Sequence, residues 1–223
     1  MKIDILTLFP DMFNGFLNES IIKRAIDKKK VEINVINFRE YSKLNNQQVD
    51  DTPYGGGAGM VLMCQPIVDA IEAIKTENSL VIMLTPQGKT YNQSTAKKLC
   101  QNYNHLILLC GHYEGFDDRI NNFVDMSISV GDYVLTGGEI PAMIITDSVV
   151  RLIDDVINKD SYENDSFSNN LLDYPTYTKP QDFRGFKVPD VLLSGNHAKI
   201  DEWRLMMQKE KTKKCRPDLL DKK

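Results

Sequence analysis

Nowhere in the 223 residues does an apolar run approach the length of ~20 residues that a membrane-spanning helix needs, which excludes an integral helical membrane protein. Cysteine is sparse: Cys64, Cys100, Cys110 and Cys215, with no pair in C-x-x-C spacing. The three histidines, His105, His112 and His197, also stand apart, so no zinc site is readable. Four scattered thiols in a reducing compartment make no disulfide framework. Internal repeats and low-complexity tracts are absent. So is a signal-peptide layout, because Asp4 interrupts the first apolar run and no small-residue cleavage site follows. The expectation is a cytoplasmic protein.

What is present is ordinary globular usage, 42% apolar and 26% charged. At 25.4 kDa the chain has room for one large domain, or a main domain with a small second one. The net charge of -4 argues against a polyanionic partner, but its distribution does not. Residues 173–223 hold 12 Lys and Arg against 8 Asp and Glu, whereas residues 1–172 hold 15 against 23. An acidic body with a basic C-terminal segment is the asymmetry of a tail that touches a polyanion.

Apolar patterning predicts strands at 3–9, 31–36, 80–85, 105–110 and near 126–130. It predicts helices over 11–28, 66–75, 92–102 and 140–157. Strands apolar on both faces, alternating with helices, point to an α/β fold with a parallel sheet covered on both faces. Residues 158–172 are rich in Asn, Asp and Ser and read as a flexible interdomain linker. Beyond them lie four of the nine prolines and one helical stretch, 197–210, which suggests a small helical domain over 173–223. The main domain is then 1–157.

Ten of the thirteen glycines fall between 55 and 138. They cluster as Gly55–Gly59, Pro86-Gln87-Gly88, Gly111-His112-Tyr113-Glu114-Gly115 and Gly131–Gly138. The last three clusters follow apolar strands directly. Ligands of open α/β sheets bind beyond the carboxyl ends of strands, and glycine lets backbone approach a ligand closely. Gly88-Lys89-Thr90 looks like the end of a phosphate-binding loop, but Met83 stands where its first glycine is needed and Pro86 removes a donor. Met60 likewise breaks a dinucleotide fingerprint at Gly55-x-Gly57. With few cations near these loops, a neutral or zwitterionic adenosine compound suits the site better than a polyphosphate.

The strings Asp51-Thr52-Pro53-Tyr54-Gly55-Gly56-Gly57-Ala58-Gly59-Met60, Cys110-Gly111-His112-Tyr113-Glu114-Gly115 and Gly131-Asp132-Tyr133-Val134-Leu135-Thr136-Gly137-Gly138-Glu139 stand in order. So do Thr85–Gly88, Asp165-Ser166-Phe167 and Val191–His197. Together they resemble the TrmD family, the bacterial tRNA (guanine-N1)-methyltransferases of the SPOUT class, from residue 1 to about 220. The resemblance implies S-adenosyl-L-methionine as methyl donor and N1 of guanosine 37 of tRNA, beside the anticodon, as acceptor. It implies a deep trefoil knot over roughly 80–140, which no periodicity argument reveals because knots are nearly absent from proteins. It also implies a homodimer with active sites at the subunit interface. Magnesium is compatible with the family, but no metal-ligand cluster is readable in the sequence.

Carried over residue by residue, the cofactor positions are Leu84 and Pro86, then Gly111, Tyr113 and Gly115, then Val130, Gly131, Asp132, Tyr133, Val134, Leu135, Gly137 and Gly138, with Pro141 behind them. Asp165 and Arg151 match the catalytic positions. N1 of guanine carries a proton, and charge moves to O6 as that proton leaves. A carboxylate base and a cation facing O6 are therefore the natural pair, with Asp165 as base and Arg151 steadying O6. Glu114 and Ser166 match the substrate side. Lys213 and Lys214, with Lys209, Lys211 and Arg216, are expected to meet tRNA phosphates. His197 is expected to start a helix. Two other readings compete: a related SPOUT enzyme acting on another RNA atom, and a non-catalytic RNA-binding protein. The second requires a broken pocket or a broken Asp165/Arg151 pair, and neither is seen.

Overall fold

In the computed structural model, residues 1–158 and 165–220 are described; 159–164 of the polar stretch and 221–223 lie outside the described residues. The chain divides into two compact units, Met1–Ile157 and Asn158–Lys223.

The first unit is built on five parallel strands: β1 (Lys2–Thr7), β2 (Glu32–Asn37), β3 (Ser79–Thr90), β4 (His105–Cys110) and β5 (Met126–Ser129). Their order across the sheet is β2-β1-β4-β3-β5. Successive side chains of a strand point to opposite faces. Leu80, Ile82 and Leu84 of β3 therefore join one apolar cluster, and Val81 and Met83 join the other. Helices α1 (Ser20–Asp27), α3 (Gln93–Asn102) and α4 (Glu139–Val150) cover the first face. Helix α2 (Cys64–Ile74) covers the second through Ile67, Ala70 and Ile71. Every residue of β4 is buried. A buried Leu or Ile side chain contributes about 1.5–3 kcal/mol, against about 1–2 kcal/mol for fixing its backbone. A strand apolar on both faces is therefore stable only with both faces covered.

Three expected elements come out differently. The helix expected over 11–28 is a 3-10 turn (Pro10–Phe13), one short turn (Asn14–Leu17) and then α1. Ser20 has φ of 54°, and Asn18-Glu19-Ser20 compete for local turns rather than continuing a helix. The helix expected to reach 157 stops at Val150, with Arg151 as its C-cap. Asp154 and Asp155 would set negative charge at a helix C-terminus, where it is unfavourable; Asp155 instead pairs with Lys30 at 2.7 Å. The strand expected over 80–85 runs on to Thr90, because its pairing with β5 slips between Leu84 and Lys89. The slip pushes Thr85-Pro86-Gln87-Gly88 out of the ladder.

The second unit centres on α5 (His197–Cys215), which is longer than the expected 197–210. The Asn196 side chain accepts a hydrogen bond from the Lys199 amide at 3.2 Å and caps its start. The buried positions Ile200, Gln208 and Thr212 share one face at spacings of four and eight. A short hairpin, Asp182–Phe183 with Phe186–Lys187, precedes it. The described end of the polar stretch is a folded turn rather than a free linker. There the Phe167 amide donates to Leu171 O at 2.8 Å and the Leu172 amide donates to Thr212 Oγ1 at 2.8 Å.

Candidate active site

Beyond the carboxyl ends of β3, β4 and β5 the first unit encloses a cavity of about 390 Å³, within the range of small-molecule sites. Three loops build it. The bulge within β3, between Leu84 and Lys89, contributes Leu84, Pro86 and Gln87. The loop after β4 contributes Gly111, His112, Tyr113, Glu114 and Gly115. The loop after β5 contributes Val130, Gly131, Tyr133, Val134, Leu135, Gly137 and Gly138, and Pro141 of α4 closes the floor. Every cofactor position expected from the sequence except Asp132 is brought to this one cavity. Asp132 is exposed and does not line it. Gly131 and Tyr133 on either side of it do line the cavity. Gly55–Gly59 does not line the cavity either; Gly59 instead abuts the Glu114 side chain.

Glycine is required where the loops touch. A Cβ on Gly138 would lie 2.6 Å from Cys110 Cα and 2.8 Å from Gly111 N, against backbone that cannot step aside. The Gly138 amide also donates to Gly111 O at 2.8 Å, which ties the two loops together. The loop after β4 is pinned at its far end. The Arg119 guanidinium grips Asp117 through two hydrogen bonds of 2.9 and 2.6 Å and holds its carboxyl well below the usual carboxylate range. Tyr113 sits at φ of 60°, uncommon for a residue with a Cβ and typical of strained functional loops.

Sequence reasoning placed Gln87 and His112 in the pocket-forming loops without singling them out, and it missed Asp118 and Asn121; all four line the cavity. Asp118 and Asn121 arrive on a 3-10 turn (Asp118–Phe123) with no sequence signature. His112 lies inside the Gly111–Gly115 string, and that position was the one available signal. It packs between Phe9 (centroids 4.5 Å apart) and Tyr113 (5.8 Å). Behind it lies the fully buried Glu139 at the start of α4. Glu139 Oε1 accepts a hydrogen bond from Thr7 Oγ1 at 2.7 Å. Its Oε2 has no hydrogen-bond partner among the described residues and lies 3.5 Å from His112 Nε2. Burial, with Glu139 adding, pushes the Cys110 thiol far up, so it is inert at neutral pH.

Arg151, half-buried, caps α4, its amide donating to Asp147 O at 3.1 Å. In the second unit Asp165 is half-buried and its carbonyl accepts from the Ser168 amide at 3.2 Å. The Ser166 hydroxyl accepts from the Asp173 amide at 2.9 Å. Lys209, Lys211, Lys213 and Lys214 sit on the second half of α5, and all four are exposed. Arg216 is less available for phosphate: it pairs with Asp218 through two 2.8 Å bonds and lies 5.9 Å from the centre of the Phe167 ring. His197 is exposed at the first position of α5. Among the described residues no three acidic, histidine or cysteine side chains gather to hold a metal, and no helix is long and apolar enough to cross a membrane.

The family model described as tRNA (Guanine-1)-methyltransferase TrmD matches residues 1–222. A protein of Malacoplasma penetrans named tRNA (guanine-N(1)-)-methyltransferase is 61% identical over all of this chain and 98% of its own length. Proteins of the same name from Mycoplasma capricolum and Bacillus pumilus are 56% and 55% identical, each over 99% of this chain and 92% of theirs.

Proposed function

We infer the activity from one premise: the chain belongs to the TrmD family of tRNA (guanine-1)-methyltransferases. It is an enzyme that methylates N1 of guanosine in tRNA. We propose that the donor is S-adenosyl-L-methionine, that it binds in the cavity beyond β3, β4 and β5, and that the acceptor is guanosine 37. The cavity itself carries the donor reading. Among the described residues no lysine or arginine lines it, which disfavours polyphosphates, and its walls are backbone and apolar side chains with Glu114 and Asp118 at hand for positive charge. An adenosine sulfonium fits that lining. When bound, the donor supplies an electrophilic methyl that N1 can accept in a single displacement.

The chain's own residues prepare the acceptor. Asp165 takes the N1 proton, and its carboxylate becomes the carboxylic acid. Arg151 faces O6, where negative charge gathers as the proton leaves. Glu114, exposed on the loop after β4, meets the substrate guanosine, and Ser166 is a second substrate-side residue. Lys213 and Lys214 hold phosphates, which gives affinity rather than sequence choice. The segment of roughly 80–140 forms the trefoil knot of the family. The enzyme works as a homodimer in the cytoplasm, with the exposed Ile140 and Ile144 of α4 and the 86%-exposed Val134 covered by the second subunit. The described residues hold no identifiable magnesium site, and no step is assigned to that ion.

Nucleoside analysis after incubation of tRNA with methyl-labelled S-adenosylmethionine tests this reading. Label recovered as N1-methylguanosine is the expected outcome. Label in a ribose-methylated nucleoside, or none, overturns it.

A further inference from the structure

The fully buried Glu139 is the least expected group in the first unit. A carboxylate taken out of water is costly unless it is paired. Thr7 satisfies only Oε1, and among the described residues nothing hydrogen-bonds to Oε2. The polar group that faces that oxygen is His112 Nε2, at 3.5 Å. Gly137 is what allows the approach, because a Cβ there would collide with both Glu139 Oε2 and the His112 ring. Phe9 on one side and Tyr113 on the other hold the ring where it stands. Glu139 thereby stands behind the imidazole and, with the two flanking rings, fixes its orientation.

His112 also lines the cavity. Among the described side chains lining it, His112 alone can carry positive charge. The donor inferred above has two cationic groups, a sulfonium and an ammonium, and one anionic group, the carboxylate of its methionine end. Glu114 and Asp118 are suited to the cations. His112 is the lining side chain that can meet the anion with charge as well as a hydrogen bond; Gln87 and Asn121 can donate but carry no charge. Resting on the S-adenosylmethionine reading, we propose that His112, positioned by Glu139, reads the donor's carboxylate and sets the site's preference for an intact methionine end.

The test compares two ligands on the full-length protein by calorimetry: S-adenosylmethionine and its decarboxylated counterpart, which keeps the sulfonium and amine but lacks the carboxylate. The unaltered protein should prefer the first by about tenfold or more, as a charge-assisted hydrogen bond allows. His112→Phe keeps a ring between Phe9 and Tyr113 but removes every N–H. It should weaken S-adenosylmethionine by a similar factor, leave the decarboxylated ligand within about twofold, and bring the preference near one. Glu139→Gln is neutral and keeps the Thr7 contact. It should lower the preference severalfold without unfolding, and it serves if His112→Phe does not fold. A merely structural role for the pair would weaken both ligands alike. That result overturns the proposal, as does an undiminished preference in either variant. Loss of tRNA affinity with donor preference intact also overturns it, by placing His112 against RNA phosphate. If the unaltered protein binds neither ligand, the donor reading itself fails, which is distinguishable from failure of this inference.

Discussion

Asp165 is the residue on which the proposed chemistry turns. Replacing one carboxylate oxygen by an amide removes the base and leaves shape and volume nearly unchanged. Asp165→Asn should therefore lower kcat by about 10²–10⁴-fold, with donor affinity from calorimetry within about twofold of the unaltered protein. Undiminished turnover contradicts the assignment. Tyr91 offers a second residue-scale check, independent of activity. Burial pushes its hydroxyl up to about 12, and the bond to Ser148 Oγ at 2.6 Å opposes that only in part. A folded value above the ordinary ~10 means the protonated form is favoured in the fold. The stabilisation is then fully present below pH ~10 and is lost as pH rises through about 12. A phenolate absorbance titration of the protein against Tyr91→Phe should reveal one tyrosine ionising near 12; a difference curve centred near 10 contradicts this.

At the scale of elements, the site exists because three strand ends terminate in loops that touch through glycine. Gly138→Ala sets a Cβ 2.6 Å from Cys110 Cα, and overpacking of this kind costs about 1–3 kcal/mol. The variant should lose that much stability in urea titration, together with at least tenfold in donor affinity. An unchanged denaturation midpoint contradicts the predicted clash. Helix α5 carries Lys209, Lys211, Lys213 and Lys214 in its second half. Replacing Lys213 and Lys214 by alanine should reduce the slope of log affinity against log salt by about one for each phosphate no longer held. An unchanged slope in filter-binding titrations contradicts their phosphate role.

Elements of this kind were legible in the sequence to different degrees. All five strands of the sheet and the burial of β4 were readable, because a buried parallel strand is apolar on both faces and few other elements are. Helix ends were less legible. The start of α1 depends on Ser20 adopting a positive φ, and the end of α4 on the acids at 154 and 155. The cavity was legible wherever a glycine string followed a strand, so nearly every expected lining position meets in one place. Asp132 is the exception, because a string fixes which residues are neighbours but not the direction of a side chain. His112 and Glu139 were illegible for a related reason. Their pairing spans two loops and a helix start, and no spacing rule connects positions 112 and 139. The slip in β3 pairing that expels Pro86 is likewise a property of the ladder rather than of the residues.

At the scale of the whole molecule, the exposed Ile140, Ile144, Tyr133 and Val134 leave apolar surface on the first unit, beside the cavity. Large apolar side chains left exposed in this way suit an interaction site, and a second copy of the chain is the partner proposed to cover them. Sedimentation at micromolar protein should give twice the 25.4 kDa of the chain; a monomer contradicts the homodimer. On the proposed reading, the acidic first unit holds the donor and Arg151, while the second unit supplies Asp165 and the basic segment 173–223 that meets the RNA backbone. The most direct measurement of that division and of the reaction it serves is methyl transfer from labelled S-adenosylmethionine to two unmodified tRNA transcripts that differ only at position 37. Label is predicted on the transcript with guanosine there, released as N1-methylguanosine, and none on its twin with adenosine. Equal labelling of both transcripts, or labelling of neither by a protein that binds the donor, would contradict guanosine 37 as the acceptor.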